Sequence, residues 1–84
     1  MTNDLRSVVV HVGDAGPVMT ARQPDGSYIA RLEHFTLWTP PSRWPSTAIR
    51  EALAADTQDV AAQAVAHAER EVMAQLGAPW EPTR

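Results

Sequence analysis

Phe35-Thr36-Leu37-Trp38-Thr39-Pro40-Pro41-Ser42-Arg43-Trp44-Pro45-Ser46 divides the chain into two kinds of structure. The residues before it read as β, and the residues after it read as helix. The stretch holds three of the seven prolines and two of the three tryptophans. Pro40 and Pro41 bias the backbone to an extended, polyproline-like path. Neither a sheet ladder nor a helix continues through Thr39 to Pro45, so this segment carries the chain from sheet to helix. Ser46 comes directly after Pro45 and is a good N-cap for the helical half.

Upstream, Ser7-Val8-Val9-Val10-His11-Val12 is a β-branched run of strand length. Val8, Val10 and Val12 share one face, and Val9 and His11 the other. Apolar residues on both faces predict a central strand, or one covered on both sides. Gly13-Asp14-Ala15-Gly16-Pro17 is a turn cluster, and Val18 to Gln23 a second strand. Pro24-Asp25-Gly26 is a three-residue hairpin loop: proline sets the first turn position and glycine takes the left-handed one. Pairing Gln23 with Ser27 sets Arg22 against Tyr28, Thr20 against Ala30 and Val18 against Leu32. Val18, Tyr28, Ala30 and Leu32 then form a core face. The third strand runs from Ser27 to about Trp38. Its apolar parity switches between Leu32 and Phe35, which predicts a bulge or bend near Glu33-His34.

Downstream, Thr47 to Leu76 is alanine-rich and helical, and Gly77 with Pro79 stops it. The apolar face turns by over about 100° between the half around Ile49 and Leu53 and the half around Val65, Val72 and Leu76. A break at Ala55-Asp56-Thr57 lets both halves face one core, with Asp56 or Thr57 as the N-cap of the restart. A straight helix would offer its second face to a partner, such as a second copy. Ala61, Val65, Ala68, Val72 and Leu76 form a small-residue seam for packing on the chain's own sheet or on another helix.

The fold expected is α+β within a single small domain, residues 1–84. It comprises a three-stranded antiparallel β-meander (7–38), a Pro/Trp connector (39–45), and one kinked helix or two helices on one sheet face (46–76), then a C-terminal tail (77–84). One helical layer leaves the other sheet face and an edge open. Val9, Met19, Ala21 and Ile29 would lie there, with Phe35 and Leu37 where the third strand stays regular, and such a patch needs a cover. A core of this size supplies only about 3–5 kcal/mol. With no cysteine, disulfides and thiolate metal sites are excluded, so a partner chain is the most available source of further stability, and a homodimer through the sheet face, edge strand or helix seam is expected.

Composition narrows function by exclusion. The net charge of −3 argues against a general nucleic-acid binder. Residues 1–50 hold five arginines against four acids, and residues 51–84 hold two against six. The acidic helical half is therefore the natural complement of a basic partner surface. All seven basic residues are arginine, which with the many alanines and prolines resembles the coding bias of a GC-rich bacterium or its phage. No apolar run reaches membrane-spanning length, and no basic then apolar N-terminal leader is present. A cytoplasmic protein is expected.

No catalytic set is assembled. The glycine cluster after the first strand lacks the helix and the Gly-Lys-Ser/Thr of a phosphate loop. His11 and His34 lie on strands that one sheet could bring together, but without carboxylates at ligand spacing, and His67 lies on the polar helix face. No nucleophile elbow and no paired carboxylates occur. No enzyme activity, metal or cofactor is expected. The candidate binding residues are Trp38, Arg43, Trp44 and Trp80, since tryptophan and arginine are enriched at interface hot spots. Trp38 and Trp44 serve equally as caps on the open end of the core.

Asp25-Gly26-Ser27-Tyr28-Ile29-Ala30, with Thr47-Ala48-Ile49-Arg50-Glu51-Ala52-Leu53, resembles HicB-type antitoxins, which place a small sheet before a helix opening with threonine and a Glu-Ala pair. The overlap covers about a third of the chain. The Pro-Gly-Cys-like stretch of that family is replaced by Trp-Thr-Pro-Pro-Ser-Arg-Trp-Pro, and no added DNA-binding domain is expected. The resemblance is one of topology. The expected function is a non-catalytic protein-interaction or regulatory module. It binds a protein partner through the Trp38/Trp44 surface, the exposed sheet face or the acidic helix. The alternatives are small-ligand binding in a tryptophan-lined groove and an antitoxin-type regulator.

Overall fold

The computed structural model describes residues 6–56 and 60–76. Three strands, β1 (Arg6–His11), β2 (Pro17–Arg22) and β3 (Tyr28–Leu32), form an antiparallel sheet in the order β1-β2-β3. Two helices, α1 (Pro45–Ala55) and α2 (Ala62–Leu76), pack on one face of it. This is the α+β arrangement that the sequence predicts. No helix among the described residues is long and apolar enough to cross a membrane.

The Pro24-Asp25-Gly26 loop sets the β2–β3 register that its turn chemistry demands: Arg22 pairs Tyr28, Thr20 pairs Ala30 and Val18 pairs Leu32. Gly26 has φ 94°, a conformation that a Cβ disfavours. The Gln23 N–H donates to Ser27 O at 2.8 Å, and the Ser27 N–H and hydroxyl both donate to the Asp25 carboxylate. The bonds from Ser27 hold the Asp25 carboxyl below its ordinary pKa.

The core lies between sheet and helices. Val10, Val12, Val18, Tyr28, Ala30 and Leu32 are buried from the sheet side, with Ile49 and Leu53 from α1 and Val65, Val72 and Leu76 from α2. The small-residue seam from Val65 to Leu76 is thus used inside the chain; Ala61, its first member, stays exposed. Burying one such aliphatic side chain is worth about 1.5–3 kcal/mol.

The helical half divides after Ala55, so the break at Ala55-Asp56-Thr57 is taken rather than the straight helix. Asp56 closes α1, with φ −114° and ψ 21°, rather than opening α2. Thr57 lies outside the described residues. At the other end of α1 Trp44 is the N-cap and Pro45 the first helical residue, so Ser46 sits inside the helix instead of capping it. Proline is well placed there because its missing N–H would have no intrahelical partner. The Ser46 N–H is instead capped from a distance: it donates to Glu69 Oε2 of α2 at 3.0 Å. A carboxylate at a helix N-terminus also meets the favourable end of the helix dipole.

Three further expectations are corrected. β3 ends at Leu32, not near Trp38: the chain turns at Glu33-His34, where the Phe35 N–H donates to Leu32 O at 2.9 Å. Of the bulge or bend expected at Glu33-His34, the structure has the bend, as a turn that ends the strand. β1 is an edge strand, and Val9 is 45% exposed on the face away from the helices. On that face Ala21 and Ile29 are buried, so the open apolar patch shrinks to Val9 and a half-buried Met19. Ala21 is only a methyl on the central strand, between Ser7 on β1 and Ile29 on β3.

After its turn, the connector runs back beside β3. Ser42 and Tyr28 exchange both backbone hydrogen bonds, at 2.7 and 2.8 Å. The Thr39 N–H donates to Ala30 O at 2.9 Å, and the Ala30 N–H donates to Thr39 Oγ1 at 3.1 Å. The Pro/Trp stretch is therefore an extended segment, tied to β3 at Thr39 and Ser42, that closes one edge of the three-stranded sheet.

Candidate functional site

Turning back at Glu33-His34 lifts Phe35, Leu37 and Trp38 beside α1. Between them lies a groove of about 280 Å3. Leu32, Phe35, Leu37 and Trp38 line one side, and Ala52 and Ala55 of α1 the other. The alanines leave space where larger residues would have filled it. Glu51 and Thr39 supply the polar groups of the lining side chains apart from Arg31. Leu37 is 80% exposed, an unusual position for a leucine beside an apolar groove.

Arg31 fixes this wall. Its guanidinium donates to the carbonyl oxygens of Phe35 and Glu33, approaches Met19 Sδ at 3.6 Å, and lies over the Trp38 ring at 5.0 Å from the centroid. A cation over tryptophan is worth about 0.5–1 kcal/mol where exposed. The charge thus holds the returning segment down on the sheet. A second tie joins the turn to the end of α1, where His34 Nε2 stands 3.6 Å from Asp56 Oδ2. Both groups are well exposed, and such a pair contributes little. The His34 ring also meets Phe35 edge-on, with centroids 4.9 Å apart.

Among the described residues, the candidates named from sequence do not all line this groove. Trp38 lines the groove and is half-buried. Trp44 is 43% exposed at the start of α1, with Arg43 beside it, and neither lines the groove. Trp80 lies outside the described residues. Among the described residues, this groove holds Trp38 and not Trp44.

Sequence reasoning missed Arg31, Glu51, Ala52 and Ala55. The signal lies in the turn: once the chain reverses at Glu33-His34, Trp38 returns alongside Arg31. His11 and His34 do not approach each other, because His11 ends β1 at one edge of the sheet and His34 lies just past β3 at the other. No cluster of three or more metal-ligating side chains occurs among the described residues.

Beneath the sheet's other end, Tyr28 is buried, with Arg22 and Glu69 near enough to act on its charge. Its phenol pKa is raised, first by desolvation, while Arg22 lowers it and Glu69 raises it. Thr20, on the core face between Val8 and Ala30, is fully buried, and its hydroxyl has no hydrogen-bond partner among the described residues.

No known family model, curated protein or solved structure matches this chain.

Proposed function

We propose that the protein is a non-catalytic interaction module that regulates a protein partner in the cytoplasm of a bacterium or its phage. The partner contributes an apolar side chain to the groove between α1 and the returning segment, next to a basic residue that meets Glu51. The observation that carries this reading is Leu37, 80% exposed on the rim of an apolar groove whose wall is held in place by Arg31. Seating Leu37 and one partner side chain would remove apolar surface worth about 1.5–3 kcal/mol for each residue.

The groove holds about 280 Å3, near the lower end of the roughly 300–1,000 Å3 of ligand pockets, and its mostly apolar lining suits a single anchoring side chain. An antitoxin-type regulator is one form that such a module takes. Self-association belongs to the same proposal, because an 84-residue chain without disulfides has a small core to rely on.

Selection of a random peptide library against the protein tests the groove. The expected winners carry a large apolar residue beside arginine or lysine, shift the tryptophan emission on binding, and lose affinity for Leu37→Asp and Glu51→Arg. Recovery of no such peptides, or of peptides indifferent to both substitutions, overturns the groove as the binding surface.

A further inference from the structure

We infer that two copies of the chain join through antiparallel pairing of β1 with β1, giving one continuous six-stranded sheet. This takes self-association from the reading above and assigns its surface, which is separate from the groove.

The argument begins with the ladder. The Val12 N–H donates to Gly16 O at 3.1 Å, so Val12 opposite Gly16 holds the place of a bonded pair in the ladder, although its carbonyl accepts from the Ala15 N–H at 2.9 Å. Such pairs alternate along an antiparallel ladder. In the β1–β2 register, Val10 with Val18 and Val8 with Thr20 are then bonded pairs. His11 faces Pro17, which has no N–H to give, as the alternation demands. Ser7, Val9 and His11 therefore direct their N–H and C=O groups away from β2, and none of these groups has a partner among the described residues. Ser7 and His11 are exposed, and Val9 is 45% exposed.

This edge also lacks the usual defences. Natural edge strands are shortened, bulged, or marked with proline, lysine or inward-pointing charge. The stretch Arg6 to His11 pairs with β2 without a bulge and places three consecutive valines at its centre. Its composition is that of an interior strand, while its position is at the edge. Pairing removes the contradiction.

A second copy of this chain fits the edge better than a partner of arbitrary sequence, because the strand is complementary to itself. A two-fold axis at Val9 sets Val9 against Val9, Ser7 against His11 and His11 against Ser7 of the second copy. Those are the residues whose backbone groups point outward, and in antiparallel pairing each such pair exchanges two hydrogen bonds. The exposed Val9 side chains meet as a cross-strand apolar pair. The Ser7 hydroxyl faces the His11 imidazole. Arg6, the one arginine of β1, stands across from Val12 and far from its own mate, so no like charges oppose each other.

Sedimentation equilibrium across the micromolar range tests this on the full chain and three variants. The wild type is expected to pass from monomer to dimer with concentration. Val9→Lys places like charges opposite each other on the axis and weakens the dimer by at least about tenfold. Ser7→Pro removes an outward donor without touching the β2 ladder and weakens it in the same sense. Met19→Lys, on the same sheet face but one strand in, leaves it unchanged. Circular dichroism checks that each variant is folded; should one of the edge variants fail to fold, the other decides. A strictly monomeric wild type overturns self-association altogether. A dimer that survives both edge substitutions, or yields to Met19→Lys and not to Val9→Lys, overturns the edge while leaving self-association in place.

Discussion

Along the outer side of β3, the N–H groups of Tyr28 and Ala30 and the carbonyls of Tyr28, Ala30 and Leu32 all find partners in the roughly ten residues after the strand, as short β connections allow. Along the outer side of β1, the corresponding groups of Ser7, Val9 and His11 find none among the described residues. The sheet therefore has one edge closed by its own chain and one left open. The difference comes from the segment after each strand. β3 leads into a tight turn and a proline-biased extended segment that has nowhere to go but back along the strand. β1 leads through Gly13–Ala15 directly into β2, so its far side is never revisited by the residues described. Closing one edge also builds the groove, since the residues that pair with β3 are those that bring Leu37 and Trp38 up beside α1.

The same substitution placed on the two edges separates them most sharply. Ser42→Pro removes the donor to Tyr28 O on the closed edge and is expected to cost about 2–3 kcal/mol in urea unfolding. Ser7→Pro on the open edge, measured with the protein dilute, is expected to cost under about 0.5 kcal/mol. Equal costs would break the comparison. Thr39→Val leaves the Ala30 N–H buried without an acceptor, and a loss of about 1–2 kcal/mol is expected by the same measurement. No loss would mean that Thr39 does not close the edge.

Between the two edges, Thr20→Val removes the unpaired buried hydroxyl on the central strand and is expected to stabilise the fold by about 1 kcal/mol. A destabilised variant would mean that this hydroxyl has a partner. The smallest effect expected is alkaline. Tyr28 on the closed edge has a raised pKa because burial disfavours its phenolate. The unfolded chain therefore releases this proton before the folded one does. Its contribution is fully present below the ordinary tyrosine pKa of about 10 and is lost as pH rises through the folded value. Tyr28→Phe is expected to flatten that decline in an alkaline unfolding series; an unchanged slope would assign it to other groups.

Local chemistry made much of this legible. Pro24-Asp25-Gly26 specifies one hairpin register, and the structure has it. The apolar phase shift between Ile49 and Val65 is met by a division of the helical half, with α1 ending at Ala55, rather than by a straight helix with two buried faces. What escaped depends on contacts distant in sequence. Ser46 looks like a cap by its neighbours alone; the carboxylate that meets its N–H is Glu69, 23 residues away. Leu37 and Trp38 look like the end of a strand until the chain is seen to reverse at Glu33-His34. The valines of β1 carry the pattern of an interior strand, and no pattern within one chain tells whether the missing neighbour is its own segment or a second copy. Of the candidate binding residues among those described, Trp38 reaches the groove and Arg43 and Trp44 do not, because Ser42 ties the connector to Tyr28 before them.

Amide hydrogen exchange, measured residue by residue at two protein concentrations, tests the contrast between the edges most directly. The Tyr28 and Ala30 amides, each held by the returning segment, are expected to exchange slowly at both concentrations. The Val9 amide is expected to exchange fast when the protein is dilute and to gain protection as concentration rises. A Val9 amide equally protected when dilute, or Tyr28 and Ala30 amides as fast as Val9, would contradict one closed edge and one open to a second copy.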